Sequence, residues 1–542
     1  MSAEEIPGKD PETSTAGRQR RVTARGLLAS TSVVSLMTLM SRVLGLIRDV
    51  VFARFFGASL VMDAFLVANR IPNMLRRFFG EGAFSAGFVP VMARYRERHT
   101  HAEARAYVDS MAGTFAIILF VVTLLGVIAA PVLVLIVAPG FIGDGGDFDL
   151  AALMLRFTFP YLFFVSLTAF AGGILNTYGR FAVPAFTPVI LNVVLIAAAV
   201  WLSPRLPQPG MALAYGVFIA GICQLLFQLP FLARINALPR PRWAPRHAGV
   251  KRAVKLMLPA IFGSSVAQIN VLVGGIIASM LGVGSISYLY FSDRLMEFPL
   301  GLFGIALATV TLPYLSRLWS NDDKQQFSRT LDWSMRLAVV VAVPAALGLF
   351  VLAKPLIATI FYRGEFNGHD VEMTALALRA YAFGLVGFSF VKILAPAFFA
   401  REDTRTPVKI GIVALAVNLA LSIVLAWYLT SIGYEAAHAG LALATSVAAL
   451  LNAWLLHRGL RRALVLVHGN GWRALLLQVL AGNAAMWATL AWLQRDLSWW
   501  LQSSVMERSL WLLLSVAAGA AVYALVLLAT GMRPGQFSMR GR

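Results

Sequence analysis

Apolar runs long enough to cross a bilayer dominate the chain. A membrane helix needs about 20 mostly apolar residues. Fourteen segments qualify: 27–56, 61–92, 107–138, 151–177, 182–203, 211–234, 252–282, 285–317, 333–361, 372–399, 407–430, 437–457, 474–494 and 509–531. With 59% of 542 residues hydrophobic and 13% charged, a water-soluble fold has no use for so much apolar surface. The expected fold class is an all-α polytopic membrane protein with 14 transmembrane helices.

The formal net charge of +20 would suggest a nucleic-acid partner in a soluble chain. Here no long basic domain exists, so no nucleic acid is expected, and the charge is read as topology instead. Loops on one side hold 30 Lys and Arg residues, and the alternate loops hold 6. One of the latter, "GDGGDFD", is acidic. The positive-inside rule then puts both termini and the basic loop "RINALPRPRWAPRH" in the cytoplasm. A miscounted helix would scramble this alternation.

Residues 1–25 are polar, acidic and then basic, and an apolar run follows from Gly26 to Met40. This imitates a secretory signal peptide. No small-x-small site precedes Ser41-Arg42, however, and the helical pattern continues past the charges. The stretch 1–25 is therefore read as a disordered cytoplasmic tail. Cys223 is the only cysteine, which leaves no intrachain disulfide framework. The seven histidines are scattered; His99 and His101 are read as a solvated loop rather than a metal pair.

An internal repeat is visible. Pro90 and Pro313 are 223 residues apart, Pro188 and Pro407 are 219 apart, and Tyr161 and Tyr381 are 220 apart. Two six-helix halves of equal topology follow, a transporter pattern with the substrate site between halves. The expected organisation is a tail (1–25), an N-terminal lobe (26–234), a basic linker (235–250), a C-terminal lobe (251–462), helices 13 and 14 (463–531) and a cytoplasmic tail (532–542).

Nine Lys or Arg residues fall inside the helices: Arg42, Arg48, Arg70, Arg76, Arg77, Arg156, Arg294, Arg379 and Lys392. Six of them crowd helices 1, 2 and 8, beside Asp49, Asp63, Glu81, Asp293 and Glu297. A central arginine facing lipid costs roughly 2.5–3.5 kcal/mol, so these side chains must face protein or water. One reading is mutual pairing. Arg294 and Glu297 are i,i+3, Arg77 and Glu81 are i,i+4, Asp293 and Glu297 are i,i+4, and Arg42 and Asp49 share a face at i,i+7. The other reading is an anion site, because arginine makes bidentate contacts to phosphate. In "NMLRRFFGEGAF", Pro72 can kink the helix and turn both arginines toward one cavity. Arg42 and Arg48 lie about 240° apart on a straight helix, so sharing that cavity needs a bend near Gly45. Both readings stand on the spacing alone.

No P-loop or H-E-x-x-H is present, and "GDGGDFD" lacks the EF-hand spacing. Neither catalysis nor a bound cofactor or metal is expected, nor is bound ATP as the energy source. Asn270 and Asn418 are intramembrane polar residues, for which helix–helix hydrogen bonding is the usual role.

Five stretches carry a resemblance: "SRVLGLIRD" (41–49), "MDAFLVANRIPNMLRRFFGEGAFSAGFVPV" (62–91), "GGILNTYGRFAVPAFTPVILN" (172–192), "YLYFSDRLMEFPLGLFGIALATVTLP" (288–313) and "KILAPAFFAREDTRTPVKI" (392–410). Together they resemble the MurJ/MviN family of lipid II flippases, of the multidrug/oligosaccharidyl-lipid/polysaccharide exporter superfamily. The likeness runs from about residue 26 to 531. It implies two pseudo-symmetric six-helix lobes in a V, plus two C-terminal helices that form a groove for the lipid tail.

By the same resemblance, Arg42, Arg48, Arg76 and Arg294 match cavity arginines implicated in binding the pyrophosphate. Asp63 matches an acid needed for function. Glu81 and Glu297 also match motif positions, and Asp49, Arg70, Arg77 and Asp293 complete the cavity charges, Asp49 as a residue that orients an arginine. The implied activity is export of lipid II, an undecaprenyl-pyrophosphate-linked disaccharide peptide, to the periplasmic leaflet of the bacterial cytoplasmic (inner) membrane by alternating access. The membrane potential or an ion gradient would supply the energy. The implied partners are lipid II, the bilayer and the cell-wall synthesis machinery. Alternatives are a flippase for another polyprenyl-pyrophosphate-linked glycan and an ion-coupled exporter of the same superfamily.

Overall fold

A computed structural model of the chain describes residues 12–77, 83–98, 100–142, 147–463, 465–467 and 469–533. Among the described residues the regular structure is helical, and no strand occurs. The helices are α1 (Glu12–Phe56), α2 (Leu60–Arg76), α3 (Ala83–Arg98), α4 (His101–Ile128), α5 (Ala130–Val137), α6 (Asp147–Thr158), α7 (Tyr161–Thr177), α8 (Ala182–Ala197), α9 (Met211–Arg234) and α10 (Ala248–Ser279). They continue with α11 (Ser285–Ser320), α12 (Lys324–Val351), α13 (Ala353–Ile360), α14 (Gly368–Phe399), α15 (Arg405–Ser431), α16 (His438–Arg462), α17 (Trp472–Leu493), α18 (Leu497–Gln502) and α19 (Val505–Ala529).

Every apolar segment of the sequence falls on these helices, with two kinds of difference. Proline explains several breaks: it lacks an N–H and its ring clashes with the preceding turn. Thus 107–138 divides into α4 and α5 where Pro131 enters the first turn of α5, and 151–177 divides at Pro160. Segment 333–361 divides at Leu352, with Pro355 in the first turn of α13. Segment 61–92 comprises α2 and α3, and 78–82 lie outside the described residues. Conversely, α2 accommodates Pro72 in its interior. The second difference is at the amino end. There α1 begins at Glu12, within the stretch 1–25 read as a disordered cytoplasmic tail.

Ten helices among the described residues are long and apolar enough to cross a membrane. The chain is a multi-pass membrane protein. The segments outside that set fall on α1, α2 with α3, α10 and α11; α1, α2 and α11 carry the clustered charges.

The chain forms two compact units. The first comprises residues up to Arg48, Ile71–Val127 and Phe157–Ser264. Its core is aromatic: Phe84 stacks on Phe88, Phe88 on Tyr107 and Tyr107 on Tyr95, with centroid separations of 4.9, 5.8 and 4.7 Å. Gly87 lets α10 approach α3, since a Cβ there would stand 2.6 Å from the Ala253 carbonyl oxygen. The linker after α9 is strapped to α4. Asp109 accepts the Arg240 N–H through its carboxylate at 2.7 Å and the Arg242 N–H through its carbonyl at 2.9 Å.

The second unit comprises Asp49–Arg70, Ile128–Arg156 and the chain from Ser265 onward. Here α14 packs against α11, α12 and α16. Gly384 and Gly387 allow its close approach to α16; a Cβ on Gly387 would stand 2.7 Å from the Leu450 nitrogen. Helices α17 and α19 pair with each other and pack on α12, where the Tyr523 hydroxyl donates to the Val340 carbonyl at 2.7 Å.

Candidate functional site

The charges of α1, α2 and α11 divide between the two units, and several are held by specific partners within their unit. In the second unit Asp63 stands in the first turn of α2 and is buried to 2% exposure. Its Oδ2 accepts the Gly284 N–H at 2.7 Å. Its Oδ1 accepts the Ser287 N–H at 2.8 Å and the Ser287 hydroxyl at 2.5 Å. Gly284 is the N-cap of α11 and has a φ of +85°. A Cβ there would stand 2.8 Å from the Ala58 carbonyl oxygen, so glycine is needed both for φ and for space. The first N–H groups of a helix lack intrahelical acceptors and carry partial positive charge. Asp63 satisfies them from a neighbouring helix. Tyr288, one position on, donates to Asp370 of α14 at 3.1 Å.

Two residues further along α11, Tyr290 donates its hydroxyl to Asp49 at 2.7 Å, and the Arg294 Nε, about one turn beyond, lies 2.9 Å from the other Asp49 oxygen. That N–H is not aligned on the oxygen, so charge rather than a directed hydrogen bond holds the pair. Arg294 also donates through Nη1 to Glu297 at 3.2 Å. Asp49 is 1% exposed, Arg294 35% and Glu297 55%. The guanidinium thus has one buried partner and one exchangeable partner. The face shared by Arg42 and Asp49 does not pair them: Asp49 turns to α11, while Arg42 is exposed on α1 with no carboxylate partner among the described residues.

Arg48 belongs to the first unit. Its Nη1 donates to the Asn192 Oδ1 at 3.1 Å, and the Asn192 Nδ2 donates to the Ser41 carbonyl at 3.0 Å. Asn192 is buried on α8, and Gly45 faces its amide. One amide therefore spans the chain from Ser41 to Arg48 and fixes the arginine.

The remaining charges are spread out. Arg70 is half-buried near Asp63 and Tyr381, and its Nη1 has no hydrogen-bond partner among the described residues. Gly275 makes room for it, since a Cβ would stand 1.4 Å from that nitrogen. Arg76 is half-buried and Arg77 exposed at the end of α2, where cations suit the carbonyl end of a helix. Asp293 is half-buried beside Arg294. Glu81, and with it the expected Arg77–Glu81 pair, lies outside the described residues. Asn418 donates to Asn270 at 2.6 Å, a helix–helix bond between α15 and α10.

Sequence reasoning gave no role to Asn192, Ser287 or Tyr290. An asparagine in the apolar run "VILNVVL" was a usable signal. The serine and tyrosine carried none, because their partners are more than 200 residues away.

The family model described as "Lipid II flippase MurJ" matches residues 52–511. The chain belongs to the MurJ family. A Vibrio cholerae relative named probable lipid II flippase MurJ is 45% identical, over 94% of this chain and 97% of its own. A Burkholderia cenocepacia relative named lipid II flippase MurJ is 42% identical, over 94% and 98%. A solved MurJ structure, described as an inward closed conformation, superposes with a TM-score of 0.75 at 26% identity. It covers 91% of this chain and 97% of its own. An inward-facing structure described as a multidrug resistance MATE family transporter of the MOP superfamily shares the fold, with a TM-score of 0.64 at 14% identity over 80% and 98%.

Proposed function

We propose that this MurJ-family chain carries lipid II from the cytoplasmic to the periplasmic leaflet of the bacterial inner membrane by alternating access, both termini lying in the cytoplasm. Arg42, Arg48, Arg76 and Arg294 contact the substrate pyrophosphate. Similarity over nearly the whole chain to relatives named lipid II flippases supports the substrate.

One observation carries the chemistry: Arg294 is fixed by buried Asp49 yet stays 35% exposed. A guanidinium has five donors, and Asp49 uses one edge. Glu297 is exposed, and a solvated pair of that kind is worth only about 0–1 kcal/mol. A pyrophosphate can displace Glu297 and take two donors, while Asp49 and Tyr290 keep the arginine in place. Asn192 does the same for Arg48. Asp63 acts by holding α11, the helix that carries Arg294.

The polyprenyl tail stays in lipid along α17 and α19 while the head group crosses. The membrane is negative inside, so an outward-moving anion runs downhill by roughly 2.3 kcal/mol per charge per 100 mV. The potential drives export or resets the emptied, basic site.

The test is lipid II exposure at the outer face of cells depleted of their own flippase, carrying wild type, Arg42→Ala or Arg294→Gln at matched membrane levels. Restoration by wild type and loss in both variants is the expected result. Full restoration by the variants would remove the arginines from the substrate path. A well-inserted wild type that restores nothing would overturn the flippase reading.

A further inference from the structure

The second unit contains a cavity of about 430 Å³ where α13, α14 and the α17–α18 connection meet. Its polar lining is Lys354, Arg379, Gln494, Arg495, Asp496 and Trp500. Three cations thus face a single carboxylate, and none of the three belongs to the arginines assigned to the substrate path.

Arg379 is the informative member. It sits about three turns inside α14, a helix apolar enough to span the membrane. An unpaired cation at that depth is unfavourable unless it faces water or an anion. Its Nε donates to the Phe350 carbonyl at 3.2 Å, its guanidinium lies 5.7 Å from the Phe350 ring centroid, and no carboxylate pairs with it among the described residues. The other Arg379 donors are left for the cavity. Arg495 stacks over Trp511, 4.6 Å from the ring centroid, which leaves its donor edges unused. Lys354 is committed to Glu372 at 2.6 Å.

Trp500 gives an independent sign. It is 1% exposed, it lines the cavity, and its indole N–H has no acceptor among the described residues. A buried donor without an acceptor is uncommon. Two planar guanidinium forks and a nearby ammonium at one cavity match several oxygens of an anion, and guanidinium forks favour phosphate.

We propose that this cavity is a second anion site, which binds the phosphate of a lipid headgroup. Its place at the outer face rests on the topology adopted under Proposed function. At that face a phosphate-bearing lipid arrives once it has crossed, with its tail beside α17. The same phosphate chemistry is offered by a polyprenyl phosphate and by an anionic phospholipid.

The experiment is native mass spectrometry of the full-length protein in detergent, titrated separately with undecaprenyl phosphate and with phosphatidylglycerol. Wild type is compared with Arg379→Gln/Arg495→Gln, with Arg495→Gln alone and with Trp500→Phe. The double variant is expected to weaken one bound lipid at least tenfold, and each single variant a few-fold. Loss for undecaprenyl phosphate alone assigns a polyprenyl ligand; loss for both lipids assigns lipid phosphate in general. Wild-type binding of both lipids by the double variant overturns the proposal. If that variant melts early, wild-type binding by both single variants overturns it equally. The same comparison in an Arg42→Ala/Arg294→Gln background separates the two sites. A tenfold loss that persists there supports this cavity whether or not the central arginines bind substrate.

Discussion

The Asp63 Oδ1 lies 2.8 Å from the backbone nitrogen of Ser287, so a carboxylate on α2 caps the first turn of α11 from outside that helix. An acid in a motif rich in intramembrane charge is thereby occupied by backbone. Asp63→Asn keeps the shape but turns an NH2 group toward a donor. Leaving a buried N–H without its acceptor costs about 1–3 kcal/mol. Purified Asp63→Asn should melt several degrees below wild type, with Ser287→Ala in between. Wild-type melting together with lost transport would make Asp63 a substrate or ion ligand instead.

Asp49 and Arg294 should be thermodynamically coupled. Removing one partner of a buried pair leaves an uncompensated charge at a cost of about 3–5 kcal/mol. Arg294 keeps a third of its side chain in contact with solvent, which reduces the figure. A double-mutant cycle of Asp49→Ala and Arg294→Ala should give a coupling of about 1–2 kcal/mol. Additive losses would show the 2.9 Å approach to be energetically idle.

Asn192→Ala should impair transport although Asn192 carries no charge. It removes the acceptor of Arg48 and the bond to the Ser41 carbonyl, and a hydrogen bond to a charged group is worth about 1.5–3 kcal/mol. Lipid II exposure should fall at least fivefold at matched protein levels. Activity equal to wild type would separate Arg48 orientation from transport.

Two glycine substitutions should differ sharply. A Cβ on Gly274 meets nothing within 4 Å, whereas one on Gly387 meets the α16 backbone at 2.7 Å. Gly274→Ala should be tolerated or slightly stabilising, because alanine gains up to about 1 kcal/mol in a helix. Gly387→Ala must push α14 from α16 and should lower the melting temperature or the yield of folded protein. Equal behaviour of the two would argue against close α14–α16 packing.

The strap on α4 can be tested by proteolysis. Asp109→Ala removes the acceptor of the Arg240 N–H and should speed tryptic cleavage at Arg242 and Arg246 severalfold. Unchanged cleavage would mean that the backbone bond from Arg242 to the Asp109 carbonyl, with Thr114, holds the linker alone.

Membership of a multi-pass helical class was written in the apolar runs, since hydrophobic length is a local property that needs no partner. The motifs around Arg42, Asp63 and Arg294 were equally legible as residue types in order. Proline-driven breaks such as that at Pro160 were half-legible. Proline marks a disturbance, but the interior of α2 tolerates Pro72 while α6 and α7 separate.

The sequence by itself determined that charges of both signs gather on helices 1, 2 and 8, and that lipid does not tolerate them unaccompanied. Spacing found the Arg294–Glu297 pair, and tertiary structure decided the buried partners. Helical spacing suggests partners three, four or seven residues away. Asp49 instead took Tyr290 and Arg294, Asp63 took the first turn of α11, and Arg48 took Asn192. The physical reason is that pairing energy depends on distance and burial in three dimensions. A buried carboxylate 1% exposed gains more from a tyrosine hydroxyl and a guanidinium on a packed neighbour than from a solvated arginine on its own helix.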